Sequence, residues 1–234
     1  MRQLKATCEI CGSSIAKNMA TRHLDNCIEK SERQQMAVLQ MRASAPGLPY
    51  WMLFDVNESS TLADVDDFLR AVWLECCGHL SAFQIGDTTY TKLPDDFGFR
   101  RERPMTVRLR SLLPSGTKFS YEYDFGSTTE LLLEVVERRM VSSRKAAVRL
   151  LAMNEAPTWS CEECGAPAVV LCSECQYEAD SFLCADHART HSCGEEMLLP
   201  VVNSPRMGIC GYTGTDDCGN RFVLAGMEVG LRAE

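Results

Sequence analysis

Residues 50–78 read YWMLFDVNESSTLADVDDFLRAVWLECCG, and this stretch contains a strand pattern followed by a helix pattern. The aromatic-rich run at its start predicts a buried strand that ends at the turn residue Asn57. Thr61, with Asp64 three residues later, resembles a capping box, so we expect a helix to begin there and to end near Gly78, a suitable C-cap. The apolar stripe at helical spacing comprises Leu62, Val65, Leu69, Val72 and Cys76.

Further strands are predicted after this helix, at residues 82–85, 107–113, 118–125 and 129–138. Residues 129–138 fit neither period cleanly and are also compatible with a helix, and residues 144–156 are compatible with either structure. A strand, a helix and then a run of strands predict the α+β class. We expect a central mixed or antiparallel sheet with one or two helices, flanked by small zinc-binding modules.

The chain is expected to divide into three parts. Residues 1–44 would form a C2HC zinc finger and a helix over Ile28–Arg42, which is rich in good helix formers. A linker, Ser44-Ala45-Pro46-Gly47-Leu48-Pro49, would end that helix and mark a domain boundary. Residues 45–156 would form the α+β domain, and residues 157–234 a Cys/His module with a Gly- and Pro-rich tail.

The N-terminal group of metal-type residues has the spacing Cys8-x2-Cys11-x11-His23-x3-Cys27. A Cys-x2-Cys knuckle turns two thiolates toward one ion, and His-x3-Cys places two more ligands on one face of a helix. Four protein ligands complete a tetrahedron and leave no open position. The sequence therefore predicts a structural zinc site here, and not a catalytic one.

The helix with two of these ligands reads His23-Leu24-Asp25-Asn26-Cys27. It resembles the ubiquitin-binding zinc fingers of translesion-repair proteins, in which a His-Leu-Asp-x-Cys helix presents its exposed face to ubiquitin. Small C2HC fingers of this kind arise in unrelated proteins, so the resemblance is treated as one of shape.

A larger group near the C-terminus has the spacing Cys161-x2-Cys164-x7-Cys172-x2-Cys175-x8-Cys184-x2-His187-x3-His191-x-Cys193. Eight ligands in alternating pairs resemble the cross-brace of a B-box, where the first and third pairs bind one zinc ion and the second and fourth bind another. This resemblance implies one site of Cys161, Cys164, Cys184 and His187. It implies a second site of Cys172, Cys175, His191 and Cys193.

Alternatives remain for the end of this module. His191 and Cys193 are unusually close in sequence, so Cys210 or Cys218 is an alternative final ligand, and a module with a single ion is another. A redox dithiol at one Cys-x2-Cys pair is a further alternative. Such motifs normally open a helix of a thioredoxin-like unit, which this sequence does not contain.

The central region carries a resemblance to a known family. Leu74-Glu75-Cys76-Cys77-Gly78-His79-Leu80-Ser81 with Phe83, and then Phe119-Ser120-Tyr121-Glu122-Tyr123-Asp124-Phe125-Gly126, are similar to motifs of the plasmid pRiA4b ORF-3-like family. The resemblance covers roughly residues 48–140 and implies a fold and a bacterial plasmid setting, without an established activity. Many members continue with Asp and Trp after Asp-Phe-Gly, where this chain has Ser127 and Thr128.

Three other features of the central region have two interpretations each. Cys76, Cys77 and His79 fit a nucleophile and its base, but a cysteine at a helix end is more often a small buried side chain. Asp124, beside a glycine, more often shapes a turn than accepts a proton. The basic stretch fits phosphate contacts or a solvated strand face, and it comprises Arg100, Arg101, Arg103, Arg108 and Arg110.

Composition and charge limit the expected location of the protein and the kinds of partner it can bind. The sequence shows no apolar leader before Cys8 and no apolar run of membrane length, so we expect a cytoplasmic protein without membrane contact. The net charge of −8 is uneven: residues 1–44 carry seven Lys/Arg against four Asp/Glu, and residues 151–234 carry four against 13. Nucleic-acid binding needs cations to neutralise the phosphates, so it would have to involve the basic N-terminal region, residues 1–44.

We expect a zinc-binding, non-enzymatic interaction protein of a bacterial plasmid or mobile element, with Zn²⁺ as cofactor and an unidentified protein partner. One alternative is nucleic-acid binding through the basic N-terminal finger and the arginine-rich strand. Another is an enzyme that uses Cys77 or Asp124 in a cleft of the central domain.

Overall fold

The structure, a computed structural model, describes residues 5–9, 12–27, 35–94, 102–142, 146–177 and 181–214. Three helices occur in these ranges, α1 (Ala20–Cys27), α2 (Leu62–Leu69) and α3 (Ala185–Thr190), and none is long and apolar enough to cross a membrane. The strands are β1 (Lys5–Cys8), β2 (Ser14–Ala16), β3 (Gln35–Ser44), β4 (Trp51–Asn57), β5 (Ser81–Ile85), β6 (Thr88–Thr91), β7 (Glu102–Pro104), β8 (Lys118–Tyr123), β9 (Thr129–Ser142), β10 (Val148–Asn154), β11 (Val170–Cys172), β12 (Phe182–Leu183) and β13 (Leu198–Pro200).

Ten strands form one sheet in the order β2-β1-β10-β4-β3-β9-β8-β5-β6-β7. Neighbouring strands are antiparallel except for β6 and β7, which are parallel. The other three strands form a small sheet, β12-β11-β13, in the C-terminal Cys/His module. The predicted α+β class with a mixed central sheet is therefore confirmed. Both ambiguous segments are strands, since they contain β9 and β10.

Helix α2 begins at the predicted capping box. The backbone N–H of Thr61 donates to Asp64 Oδ2 (2.7 Å), and the backbone N–H of Asp64 donates to Thr61 Oγ1 (3.3 Å). The helix continues as a π-helical turn to Leu74 and so ends before Gly78, whose φ of +78° serves the following loop. Its apolar face packs on the sheet through the buried residues Leu62, Val65, Phe68 and Leu69.

A buried carboxylate links α2 to the sheet. Asp66 is fully buried, and its oxygens accept hydrogen bonds from the hydroxyl of Tyr121 (2.7 Å) and the hydroxyl of Ser81 (2.6 Å). Two cations compensate its charge, Arg70 at 2.8 Å and Lys92 at 2.9 Å. Both oxygens therefore have partners, as a buried ionised group requires.

The predicted helix over Ile28–Arg42 is wrong at residues 35–42, which the structure describes. Gln35–Ser44 is strand β3, which lies in the middle of the sheet between β4 and β9, while residues 28–34 lie outside the described ranges. Pairing on both edges and burial of Val38, Leu39 and Met41 outweigh the helix propensity of its Met, Ala and Gln residues.

The expected linker is also not a boundary between separate cores. Residues 45–49 form the turn that joins β3 to β4, closed by a hydrogen bond from the Ala45 backbone N–H to the Tyr50 carbonyl (3.1 Å). Gly47 there has a φ of +71°. The segment therefore lies inside one sheet.

The N-terminal residues pack on the opposite face of that sheet from α2. Strands β1 and β2 extend it beyond β10, and α1 lies over them. A second apolar core results, in which side chains of β4 and β10 meet those of the N-terminal segment. It contains Ala6, Cys8, Ile15, Ala20, Leu24, Trp51, Leu53, Leu151 and Ala152.

The predicted strand over residues 107–113 is wrong. Leu109–Ser111 is a 3₁₀ turn in which Leu109 is buried. Arg108 donates from its guanidinium to the Ser59 carbonyl (2.7 Å), and the backbone N–H of Arg110 donates to the Glu58 carbonyl (2.9 Å). The predicted face of alternating arginines therefore does not form, because this segment closes the start of α2 instead of pairing in the sheet.

Candidate metal centres

The N-terminal group is assembled by β1 and α1. The ligand atoms of Cys8, His23 and Cys27 all lie within 4.8 Å of one another, and His23 Nε2 is 3.2 Å from Cys27 Sγ. The chain reverses after Cys8, where the Gly12 backbone N–H donates to the Cys8 carbonyl (2.7 Å) and Gly12 has a φ of +72°. Cys11, the fourth predicted ligand, lies outside the described residues. The three described ligands are geometrically able to hold a metal ion.

The first C-terminal group contains Cys161, Cys164, Cys184 and His187. His187 Nδ1 is 3.3 Å from Cys161 Sγ and 3.5 Å from Cys184 Sγ. The sulfur atoms of Cys164 and Cys184 are 3.8 Å apart. Cys184 immediately precedes α3, which presents His187 on its first turns. A tight turn with Gly165 at a φ of +75° brings the first two cysteines together.

The second C-terminal group contains Cys172, Cys175, His191 and Cys193. Cys175 Sγ is 3.5 Å from His191 Nε2 and 3.6 Å from Cys193 Sγ. Cys193 therefore lies with this group, whereas Cys210 lies elsewhere and Cys218 is outside the described residues. The two groups alternate along the chain and have the membership that a cross-brace requires.

The pKa values of the module's cysteines shift in both directions: they are lowered for Cys161, Cys172 and Cys184 and raised for Cys164 and Cys175. Burial raises the pKa of Cys161, but hydrogen bonds from neighbouring backbone N–H groups and from the ring of His187 outweigh it and lower the pKa to about 6. Burial also raises the pKa of Cys172, but hydrogen bonds from backbone N–H groups and from His191 outweigh it and lower the pKa to about 7. The thiolate is the form that binds metal ions. The 11 described cysteines form no disulfide, so their sulfur atoms are available as ligands.

A fourth group escaped the sequence interpretation. The ligand atoms of Cys76, Cys77, His79 and Cys210 all lie within 4.8 Å of one another. Cys77 is exposed, so its interpretation as a buried packing residue is wrong, whereas Cys76 does pack against the central core. The pattern Cys-Cys-x-His was a usable local signal, but nothing in the spacing pointed to Cys210.

Asp124 has the turn-shaping role expected from its neighbouring glycine. It has a φ of +64°, and its Oδ1 accepts a hydrogen bond from the Gly126 backbone N–H (3.0 Å). Its other oxygen accepts from Arg206 (2.6 Å), a residue far along the chain. Hydrogen bonding from Arg206 outweighs burial and lowers the pKa of Asp124 to about 2. The residue is therefore an ionised partner of Arg206.

One surface depression of about 390 Å³ lies over β3, β8 and β9. An ion pair of Arg42 and Glu134 (2.9 Å) lies in it. Neither Cys77 nor Asp124, the two residues named in the enzyme hypothesis, is among its lining residues, which are Arg42, Ser44, Lys118, Phe119, Ser120, Leu132, Leu133 and Glu134.

Comparison with known proteins identifies the central region. No curated protein matches the chain. A crystal structure of a protein of unknown function, MM3350 from Methanosarcina mazei Go1, is similar with a TM-score of 0.43 and 17% identity, over 50% of this chain and 68% of that one. The model of the plasmid pRiA4b ORF-3-like protein family matches residues 37–169, more than half of the sequence. The match starts within β3 and reaches past Cys164, so it is longer than the resemblance over residues 48–140. The chain therefore belongs to the plasmid pRiA4b ORF-3-like family.

Proposed function

We propose that the protein is a zinc-binding, non-enzymatic interaction protein of a bacterial plasmid or mobile element. The observation that carries this proposal is the spacing of ligand atoms in the C-terminal module. A tetrahedral zinc ion with bonds of about 2.3 Å to sulfur and about 2.0 Å to nitrogen has S···S edges of about 3.8 Å and S···N edges of about 3.5 Å.

The distances between ligand atoms in the structure agree with these edges. Cys164 and Cys184 give an S···S distance of 3.8 Å, and the two S···N distances to His187 are 3.3 and 3.5 Å. In the second group the corresponding values are 3.6 Å for Cys175 to Cys193 and 3.5 Å for Cys175 to His191. Thiolate and imidazole donors in tetrahedral groups favour zinc over magnesium or calcium, which prefer oxygen ligands.

Four protein ligands in each C-terminal group leave no coordination position for a substrate. Catalytic zinc sites normally keep one position open, so these sites fit a structural role. Small modules of this kind obtain much of their folding free energy from the metal ion. The zinc ions would thus hold a rigid surface for a partner beside the large sheet.

Three of the arginines in the sheet pair with carboxylates, which favours a protein partner over nucleic acid. Arg42 pairs with Glu134, Arg138 with Glu58, and Arg139 with Asp55. These cations are already compensated, and the predicted arginine strand is absent from the described residues. Residues 151–234, which contain the C-terminal module, carry an excess of nine acidic charges that would repel phosphates. The family's plasmid-derived name supports the bacterial setting.

Affinity capture from nuclease-treated lysate of a native host tests the proposal. Three full-length baits are compared: the unchanged chain, Cys172→Ser, and Glu174→Gln, which alters an exposed residue between two ligands of the same knuckle. We expect the first two capture profiles to differ and the first and third to agree, because only Cys172 supports the zinc module. Elemental analysis of the same baits reports their zinc content.

Three results would contradict the proposal. The first is a chain that folds without zinc. The second is identical capture by all three baits. The third is enrichment of nucleic acid by the unchanged chain in a parallel capture from lysate without nuclease, with an enrichment that declines steeply with salt, which would favour the nucleic-acid alternative instead.

A further inference from the structure

We infer that Cys76, Cys77, His79 and Cys210 form a fourth zinc site, which fastens the segment after β13 to the central domain. Cys76 and Cys77 follow the π-helical turn after α2, and His79 precedes β5. Cys210 comes from the other end of the described chain, 131 residues after His79. The site therefore differs from the other three, each of which takes its ligands from one local segment.

The ligand atoms have the spacing of a Cys₃His tetrahedron. Cys77 Sγ is 3.8 Å from the sulfur atoms of both Cys76 and Cys210. His79 Nε2 is 3.0 Å from Cys77 Sγ and 3.2 Å from Cys210 Sγ. A disulfide would require sulfur atoms about 2.05 Å apart, so the arrangement is that of separate thiols around a common centre.

The surroundings of His79 match those of a metal ligand. Its Nδ1 lies 3.5 Å from Asp124 Oδ1, while its Nε2 points to the thiols. Metal-binding histidines commonly present their second ring nitrogen to a carboxylate, which fixes the orientation of the ring. Asp124 is itself held by Arg206, so this carboxylate has a fixed position.

A buried cation lies beside the sulfur atoms and offsets part of the negative charge that they and Asp124 carry. Three thiolates and one Zn²⁺ carry a net charge of −1. Arg206 is fully buried, and its Nη2 lies 3.6 Å from Cys76 Sγ as well as 2.6 Å from Asp124 Oδ2. Its guanidinium also lies over the ring of Tyr123, 4.9 Å from the centroid. A buried guanidinium beside a cysteine of an anionic metal site is an electrostatically favourable arrangement.

The backbone around Cys210 is shaped to present its thiol. Cys210 has a φ of +51°, which is uncommon for a residue with a side chain, and Gly208 and Gly211 on either side have φ values of +79° and +67°. The segment is already docked upstream, where the Ser204 hydroxyl donates to the Trp73 carbonyl (2.6 Å). The zinc ion would fix the end of that docked segment.

The test measures zinc in the full-length protein, purified under reducing conditions, and in three variants. Cys210→Ser removes a ligand, Ile209→Val is the matched control in the adjacent position, and His79→Cys keeps a donor at the fourth vertex. We expect four zinc ions per chain in the unchanged protein, in Ile209→Val and in His79→Cys, and three in Cys210→Ser. Cobalt substitution should show the same loss of one site in four from the thiolate-to-cobalt absorption of Cys210→Ser.

A second measurement, limited proteolysis, shows whether Cys210→Ser loosens only the docked segment or unfolds the whole protein. Limited proteolysis should cut Cys210→Ser within residues 203–214 at least tenfold faster than Ile209→Val, while the ten-stranded sheet stays resistant. Three zinc ions in both the unchanged chain and Cys210→Ser would overturn the fourth site and leave the proposed zinc module intact. A Cys77–Cys210 disulfide in the reduced preparation would also overturn it. A zinc content near zero would instead reject the proposed function itself.

Discussion

Arg206 and Asp124 form a buried ion pair between two distant parts of the chain, with Nη2 and Oδ2 2.6 Å apart. Asp124 immediately follows β8, and Arg206 lies after β13, the last strand of the small sheet. The same guanidinium donates from Nη1 to the Ser127 carbonyl (2.8 Å). The pair thus closes the loop between β8 and β9 against the segment that follows β13.

Arg206→Met should lower the free energy of unfolding by about 3 kcal/mol, because it leaves the Asp124 carboxylate buried without its cation. Urea unfolding measures the change. Arg189→Met is the control, since Arg189 and its partner Asp186 are largely exposed and such pairs contribute less than about 1 kcal/mol. Equal effects of the two substitutions would show that the buried pair has no special role.

Leu24→Ala should destabilise the whole ten-stranded sheet by about 2–5 kcal/mol, as expected for a large buried side chain. Leu24 is fully buried in α1 and belongs to the same core as Trp51 of β4. Thermal unfolding followed by tryptophan fluorescence should show one transition at a lower midpoint. Leu93→Ala, at a position 75% exposed, is the control. An unchanged main transition would mean that residues 5–27 fold as an independent module.

The stability contributed by Asp66 should depend on pH with a defined sign. Burial raises its pKa, but Arg70 and the hydrogen bonds to its oxygens outweigh this, and the pKa lies below the ordinary 3.8. A carboxyl whose pKa is lowered on folding stabilises the protein above the unfolded pKa, and the contribution is lost as pH falls through the folded value. The stability difference between the unchanged chain and Asp66→Asn should therefore be constant above about pH 5 and shrink below about pH 4.

Urea midpoints of both proteins across this range measure that difference. Asp87→Asn, at an exposed position, is the control and should leave the acid branch of the curve unchanged. A difference that grows on acidification would contradict the assignment of Asp66 as the ionised partner of Arg70.

Cys172→Ser should lose one zinc ion and the small β12-β11-β13 sheet, because zinc supplies on the order of 10 kcal/mol to the folding of isolated fingers. Elemental analysis and protease resistance of residues 157–177 measure the two effects. Glu174→Gln should retain both. Cys77→Ser should also lose one ion, from the fourth group, but keep the small sheet. Retention of all zinc by Cys172→Ser would overturn the ligand assignment.

Two kinds of local pattern in the sequence predicted local structure well. The capping box at Thr61 and Asp64 and the Cys-x2-Cys spacings each join residues a few positions apart, and the structure shows the expected arrangement at each described position. Strand β3 was missed because its stability comes from pairing with β9, about a hundred residues later, which propensity does not report.

The sequence did not predict the fourth group for the same physical reason. Cys76, Cys77 and His79 are neighbours in sequence and were recognised as reactive residue types, but their fourth partner is fixed only by the docking of the segment after β13. A ligand supplied through tertiary structure has no sequence spacing, so the sequence patterns indicated Cys210 only as an alternative final ligand of the C-terminal module.

The pairing of β1 with β10 has a consequence for folding during synthesis. Ala6 pairs with Ile15 of β2 and with Asn154 of β10, so the first described strand gains its second neighbour only after about 150 residues, which takes roughly 7 to 30 seconds of translation at about 5–20 residues per second. Until then the apolar side chains of β1 and α1 lack Leu151 and Ala152 of β10, which complete their core. A metal ion bound early by Cys8, His23 and Cys27 would hold β1 and α1 together until β10 is made, so folding of the newly made chain would depend on metal supply.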